Sequence, residues 1–177
     1  MEYTEKTLKS DIIFEGRIIT VKNDTVELVN GKTSFREVVE HNGGVGIIPV
    51  DADGNIYLVR QFRYPFMETT LEIPAGKLEK GEEPFACAVR ELSEETGFTA
   101  GKYDDLGKFY PSPGYCKEIL YIYMARDLTR GRIHLDENEF LDVVKMPLDE
   151  AVAMVMRGEL YDAKTIIAIL KAKQIVG

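Results

Sequence analysis

Between residues 11 and 41 apolar and β-branched side chains recur at short intervals, at Ile12, Ile13, Ile18, Ile19, Val21, Val26, Leu28 and Val38, separated by polar positions. This spacing predicts strands rather than helix over Asp11 to His41, with a hairpin turn at Asn30-Gly31. A second hairpin is predicted where Ile47-Ile48-Pro49-Val50 and Ile56-Tyr57-Leu58-Val59 flank Asp53-Gly54. Gly43, Gly44 and Gly46 mark the joint between the N-terminal strands and the main domain; they fit neither a GxGxxG nor a GK[ST] phosphate loop. The period then changes to that of a helix. Pro84 suits a first helical position, entry falls near Glu83, and Gly97 suits the C-terminal stop. At roughly 100° per residue, Phe85, Ala88, Val89, Leu92 and Thr96 share one stripe and Glu91, Glu94 and Glu95 lie opposite, so one face is expected in the core and the other free for chemistry. Further strands are predicted over Asp105 to Tyr110, Ile119 to Ala125 and Phe140 to Val144, the first two separated by the turn Pro111-Ser112-Pro113-Gly114. Pro147 opens a helix from Leu148 to Met156 that breaks at Gly158. Asp162 caps a last helix from Ala163 to Lys173, with Ile166, Ile167, Ile169 and Leu170 on its apolar side. The fold class is therefore α+β: a mixed sheet flanked by helices, preceded by an antiparallel β extension.

Composition narrows the functional classes. The chain has 177 residues, 45% hydrophobic and 29% charged, as expected for one globular domain with a small accessory element. A net charge of −8 argues against nucleic-acid or anionic-membrane partners, and an anionic substrate would need bridging cations or local arginines. The charged N-terminal stretch has no apolar leader and no run is long enough to span a bilayer, so a cytoplasmic protein is expected. Cys87 and Cys116 lack a CxxC spacing and no disulfide is expected.

The run from Gly76 to Phe98, GKLEKGEEPFACAVRELSEETGF, concentrates the candidate chemistry. Three carboxylates within one helical turn repel one another by a few tenths of a kcal/mol per pair, and a helix needing only solubility would interleave lysines. Cations filling the gap would account for the arrangement. Hard oxygen ligands of this kind suit Mg²⁺ or Mn²⁺.

The order Gly76, five residues, Glu82, seven residues, then Arg90-Glu91-Leu92-Ser93-Glu94-Glu95-Thr96-Gly97-Phe98 fills every specified place of the Nudix box, and the chain resembles a Nudix hydrolase. The resemblance implies a Nudix fold, an α/β/α sandwich over residues 43–177, with residues 1–42 as a dimerising β extension. It implies hydrolysis of a nucleoside diphosphate derivative by metal-activated water, with Mg²⁺, or Mn²⁺, at two or more ions per site. Glu91, Glu95 and the carbonyl of Ala75 would be the ligands, and Glu94 and Glu82 secondary ones. Arg90 would orient Glu82, while Gly76 and Gly97 shape the loops at either end. A further carboxylate must take the proton of the attacking water. The acidic loop Asp136-Glu137-Asn138-Glu139 is its source, with Glu137 assigned as base and Glu139 as accessory ligand, roles the two can exchange.

Residues outside the box bear on substrate. Pro113 stands sixteen residues after Gly97, as in the ADP-ribose pyrophosphatase branch, and Leu71-Glu72-Ile73-Pro74-Ala75-Gly76 and the β extension resemble that branch too. It implies AMP and ribose 5-phosphate as products. Arg36 and Arg63 would hold phosphate or ribose oxygens, Ser112, Pro113 and Gly114 would line the ribose, and Glu118 would accept from its hydroxyls. Phe14, Phe35, Tyr64 and Tyr115 are candidate adenine stackers. A homodimer built through the N-terminal strands is implied, and the extended early strands fit it. The alternatives are hydrolysis of another nucleotide sugar, GDP- or UDP-linked, and a non-catalytic nucleotide sensor on the same fold.

Overall fold

The chain runs as strands β1 (Lys6–Glu15), β2 (Ile19–Glu27), β3 (Thr33–His41), β4 (Gly44–Pro49), β5 (Asn55–Arg63), β6 (Glu68–Glu72) and β7 (Ala75–Lys77), helix α1 (Pro84–Thr96), strands β8 (Phe98–Phe109), β9 (Leu120–Arg130) and β10 (Leu141–Pro147), and helices α2 (Leu148–Arg157) and α3 (Ala163–Val176). A computed structural model describes residues 3–135 and 139–177. The chain divides into two units, one of residues 1–43 with 110–119, the other of residues 44–109 with 120–177.

In the larger unit β4 is buried at all six positions, and a strand buried on both faces must be covered on both. It lies inside a four-stranded sheet ordered β7-β4-β9-β8, antiparallel to β7 and parallel to β9. Its side chains alternate between two cores. Val45 and Ile47 join Ala125 and the Cys87, Ala88 and Leu92 face of α1. Ile48 joins Ile122, Met124, Ala151 of α2, and Ala168, Ile169 and Ala172 of α3. This is the expected mixed sheet between helices. A second sheet, β10-β5-β6, is antiparallel throughout.

Four local expectations change. The hairpin around Asp53-Gly54 reduces to a single bridge between Val50 and Ile56. Beyond it β4 and β5 part into different sheets, because β4 pairs with β7 and β9 on its two edges. The strands predicted at Asp105 and Ile119 extend to twelve and eleven residues, with a bulge at Gly107, where φ is +99°. The turn at Asn30-Gly31 is wider than two residues and closes through Leu28 N–H to Lys32 O, 2.8 Å. On α3 the buried face is Thr165, Ala168, Ile169 and Ala172, with Leu170 turned outward. Small residues form that face because the helix packs closely on β4 and β9.

The smaller unit is an antiparallel sheet ordered β1-β2-β3, with Val39 of β3 exchanging backbone hydrogen bonds with Tyr115 and Lys117. Leu8, Ile12, Ile13 and Phe14 of β1 are all exposed. Both cysteines are free thiols. Among the described residues no helix is long and apolar enough to cross a membrane.

Asp51 staples the turn into β5. Its Oδ1 accepts from the Asn55 N–H at 2.8 Å and its Oδ2 from Lys145 Nζ at 2.8 Å and the Tyr57 hydroxyl at 3.1 Å. Burial raises the carboxyl pKa, but Lys145, Asn55 and Tyr57 outweigh it and bring it to about 2. A folded-state pKa below the unfolded value stabilises above the unfolded pKa and is lost as pH falls through the folded one. Urea midpoints of the parent and Asp51→Asn should therefore differ at pH 7 and converge as pH falls from about 4 to about 2.

Candidate active site

The helix α1 starts from an extended Glu83, with Pro84 in its first turn, and ends where Gly97 takes φ +71° and donates to Ser93 O at 2.9 Å. Those end signals place the box carboxylates as a set. The stripe expectation needs correction: Glu91 and Glu95 are buried, at 8% and 1% exposure, whereas Phe85 is 49% exposed. They are covered because β7 and its approach run across this side of the helix. A Cβ on Gly76 would stand 1.8 Å from Glu91 Oε1, so only glycine lets the strand pass over that carboxylate. Glu95 Oε2 accepts the Ala75 N–H at 3.0 Å.

Burial raises the pKa of Glu91 above the usual carboxylate range against the opposing pull of Arg90. Glu95 is pushed up to about 8, chiefly by burial, against the lowering pull of the Ala75 N–H and Arg63, with Glu139 and Glu91 adding repulsion. Arg90 gathers the others. Its Nη1 donates to Glu91 Oε1 and Glu94 Oε2, each at 2.8 Å, and its Nε to Glu82 Oε1 at 3.2 Å. The expected orientation of Glu82 by Arg90 is thus present and extends to two more carboxylates. Cys87 lies beneath, with a thiol that burial raises to about 12, and is inert at neutral pH.

The far end of α1 receives the chain that leads to the acidic loop. Gly131 N–H donates to Gly97 O at 2.6 Å and His134 N–H to Glu94 O at 3.0 Å. A Cβ on Gly97 would lie 2.9 Å from the Arg132 carbonyl carbon. Glu139 stands close enough for its charge to act on Glu91 and Glu95. Glu137, with Asp136 and Asn138, lies outside the described residues.

Whether these residues suit a divalent cation rests on the donor set. Buried or half-buried carboxylates crowd one end of a loop and helix, two of them with raised pKa values, and their oxygens are hard donors. The set fits a divalent cation in chemistry. Among the described residues no group of three or more His, Cys, Asp or Glu side chains already stands at ligand spacing; Arg90 is the counterion that holds Glu82, Glu91 and Glu94.

The loop before Gly76 is tied on three sides. Pro74 O accepts from Ile47 N–H of β4 at 2.8 Å and Ile73 N–H donates to Thr165 Oγ1 of α3 at 2.8 Å. Glu72, 2% exposed, takes two hydrogen bonds from Arg63, Nε to Oε1 at 2.7 Å and Nη2 to Oε2 at 2.6 Å. The Thr70 hydroxyl adds another at 2.6 Å, and Lys164 Nζ also bonds Oε2. Sequence reasoning named Arg63 and assigned no role to Glu72, Lys164 or Thr165.

The other expected substrate residues, Tyr64 apart, lie in the smaller unit. Arg36 is held by Glu5 (2.9 and 2.5 Å), Ser34 (3.2 Å) and Phe35 O (2.8 Å). Ser112 O accepts from Cys116 N–H at 3.0 Å in a turn that leaves Pro113 and Gly114 exposed. Glu118 stands 3.5 Å from His41 Nδ1, an atom that also accepts the Gly43 N–H at 3.0 Å. Phe14, Phe35, Tyr64 and Tyr115 are all exposed rather than core residues.

Residues 40–167 match the NUDIX domain, and residues 5–39 match the nucleoside diphosphate sugar hydrolase N-terminal domain. The chain is 47% identical to ADP-ribose pyrophosphatase of Bacillus subtilis (strain 168), over 93% of this chain and 90% of that protein. It is 44% identical to the methanol dehydrogenase activator of Bacillus methanolicus, over 94% and 91%. A solved structure described as an ADP compounds hydrolase superposes with a TM-score of 0.84 at 24% identity, covering 97% of this chain and 94% of that one, a likeness of fold.

The Gly76–Glu91 interlock predicts the effect of one methyl group. Gly76→Ala should destabilise the fold by about 1–3 kcal/mol, as overpacking does, read from urea denaturation; an unchanged midpoint would show that the strand does not cross Glu91 so closely.

Proposed function

Because the chain belongs to the Nudix family, we propose that it hydrolyses the diphosphate of ADP-ribose to AMP and ribose 5-phosphate with Mg²⁺, or Mn²⁺, at two or more ions per site. The observation that carries this reading is the buried pair Glu91 and Glu95 beneath the Ala75-Gly76 strand. In an acidic chain, two carboxylates are kept close together and out of water, with one backbone N–H and one arginine to hold them. The substrate comes from the match to nucleoside diphosphate sugar hydrolases and the likeness to ADP-ribose pyrophosphatase.

Glu91, Glu95 and the Ala75 carbonyl would hold the cation, with Glu94 and Glu82 as further oxygen donors. A divalent cation bound there neutralises diphosphate oxygens and acidifies the attacking water. Glu137 takes the proton of that water, or Glu139 in its place, as a P–O bond forms to one phosphorus and its bond to the bridging oxygen breaks. The departing phosphate leaves with the bridging oxygen. Arg90 keeps Glu82, Glu91 and Glu94 in place, and Arg63 meets a phosphate with the edge that Glu72 leaves free. The smaller unit supports a homodimer: its β1 exposes Leu8, Ile12, Ile13 and Phe14, and a pair of chains would cover such a strand. Sedimentation equilibrium should give twice the 20.0 kDa chain mass; a monomer would remove the dimer.

The function is tested by kcat/KM with Mg²⁺ across ADP-ribose, ADP-glucose, GDP-mannose and UDP-glucose. ADP-ribose should lead by about tenfold or more, about 1.4 kcal/mol of discrimination. A lead for a GDP- or UDP-sugar keeps the chemistry and replaces the substrate, and no turnover on any compound supports a nucleotide sensor. In the same assay Glu91→Gln and Glu95→Gln should each lower kcat by about 10²-fold or more, and Glu137→Gln should lower kcat by about 10²–10⁴-fold with little change in binding. Should Glu139→Gln show that loss and Glu137→Gln not, the base is Glu139.

A further inference from the structure

Lys164 is a charged side chain with only 9% exposure, in the first turn of α3. Its aliphatic stem lies alongside β4, where a Cβ on Gly46 would come 3.8 Å from Lys164 Cδ. Its ammonium bonds Glu72 and lies 2.9 Å from Asp162 Oδ1. Removing such an ion from water costs several kcal/mol unless partners compensate. The fold meets that cost beside the candidate active site, in contact with a residue that already grips Arg63.

Counting donors shows what this achieves. Arg63 carries five N–H bonds, and its hydrogen bonds among the described residues use only Nε and Nη2, both on Glu72. Nη1 is left over, on a side chain that is 38% exposed. Paired one to one, Glu72 would cancel the charge of Arg63 and leave a poor anion site. Lys164 shares Glu72, so the trio carries one net positive charge. Asp162 adds a second carboxylate at the Lys164 ammonium, while its Oδ2 caps α3 by accepting the Thr165 N–H at 3.0 Å, where the helix N-terminus partly offsets its charge. Of the two cations, Arg63 is the more exposed.

Resting on the reading that Arg63 meets a substrate phosphate, we infer that Lys164 is a positioning residue for anion binding: through Glu72 it fixes the guanidinium of Arg63 and leaves its charge available at the free edge. The same turn of α3 holds the neighbouring residue, since Thr165 Oγ1 accepts the Ile73 N–H. Three residues further on, Gly76 passes over Glu91. The first turn of α3 therefore sets both the anion-facing arginine and the loop above the carboxylates.

The test is calorimetric titration with ADP in EDTA, together with steady-state kinetics on the parent's best substrate. Lys164→Met should raise the ADP Kd and the KM by about tenfold while kcat stays within about twofold, and Lys164→Arg should return KM to within about threefold of the parent. Lys164→Gln keeps a donor to Glu72 without the charge and replaces the methionine variant should that one not fold. A second readout is salt: the ADP affinity of the neutral variants should fall less steeply with ionic strength than that of the parent, which loss of packing alone would not produce. Unchanged Kd and KM in a folded neutral variant, or a fall in kcat alone, overturns the inference. A parent that binds ADP but hydrolyses no nucleoside diphosphate compound instead removes the enzymatic reading and leaves the ADP titration to decide Lys164. A parent that neither binds nor hydrolyses overturns both.

Discussion

Two carboxylates on successive turns of one helix, both withdrawn from water, set the terms for the rest of the larger unit. Burial favours the neutral form of each, Glu94 and Glu139 add repulsion at Glu91, and Glu139 and Glu91 add it at Glu95. A fold that keeps such a pair must supply positive potential to it and must stop the helix from turning it to solvent. Arg90 supplies charge on the outer side, and the Ala75 N–H supplies a dipole on the inner side. The turning is prevented by the positions that flank the pair on α1, where Cys87, Ala88 and Leu92 are fully buried in one core with Val45 and Ile47 of β4. Rotating the carboxylates outward would expose that core. The apolar face therefore fixes the polar one.

The loop across those carboxylates has to be equally well held, since a glycine allows close approach without enforcing it. Position comes from long-range bonds. Ile73 is tied to a residue 92 positions further along the chain, and Ala75 to one 20 positions further. Between them Pro74 O accepts from β4, the strand against which α1 packs. Loop, helix and central strand thus share one frame, and α3 closes it from the other face of the sheet. A shift in any of the three would be felt at Glu91 and Glu95, which is a physical reason for site geometry to depend on residues that do no chemistry.

Local physics made α1 legible in the sequence almost to the residue, because a proline in the first turn and a glycine after the last one act within a few positions. Asp162 as the cap of α3 was legible for the same reason. What failed was anything settled by neighbours distant in sequence. The Asp53-Gly54 turn looked like a hairpin, yet β4 found better partners in β7 and β9. The carboxylate face of α1 looked free, because helical periodicity says which residues share a side and not what will lie across it. The apolar side of α3 was misplaced by ranking side chains by size, when close packing on the sheet selected Ala168 and Ala172. In the site, the box residues were found by spacing and the Glu72–Lys164–Thr165 cluster was not, since a buried lysine has no signature until its glutamate is brought 92 residues through the chain to meet it.

The charge balance explains why a chain with net charge −8 can be suited to an anionic substrate. Long-range steering is unfavourable at this sign, so attraction must arise within a few ångströms of the bound anion. Arg90 is committed to Glu82, Glu91 and Glu94, and three carboxylates to one guanidinium leave a local negative excess. That excess repels a diphosphate unless cations enter with it, and it makes the entry of cations favourable. Around Glu72 the balance differs, because Arg63 and Lys164 both bond Glu72, Lys164 also meets Asp162, and Arg63 keeps an exposed edge. The larger unit therefore places a cluster of carboxylates and an exposed guanidinium edge at opposite ends of a five-residue loop, Glu72 to Gly76, and a metal-bound diphosphate is a ligand that presents both signs of charge.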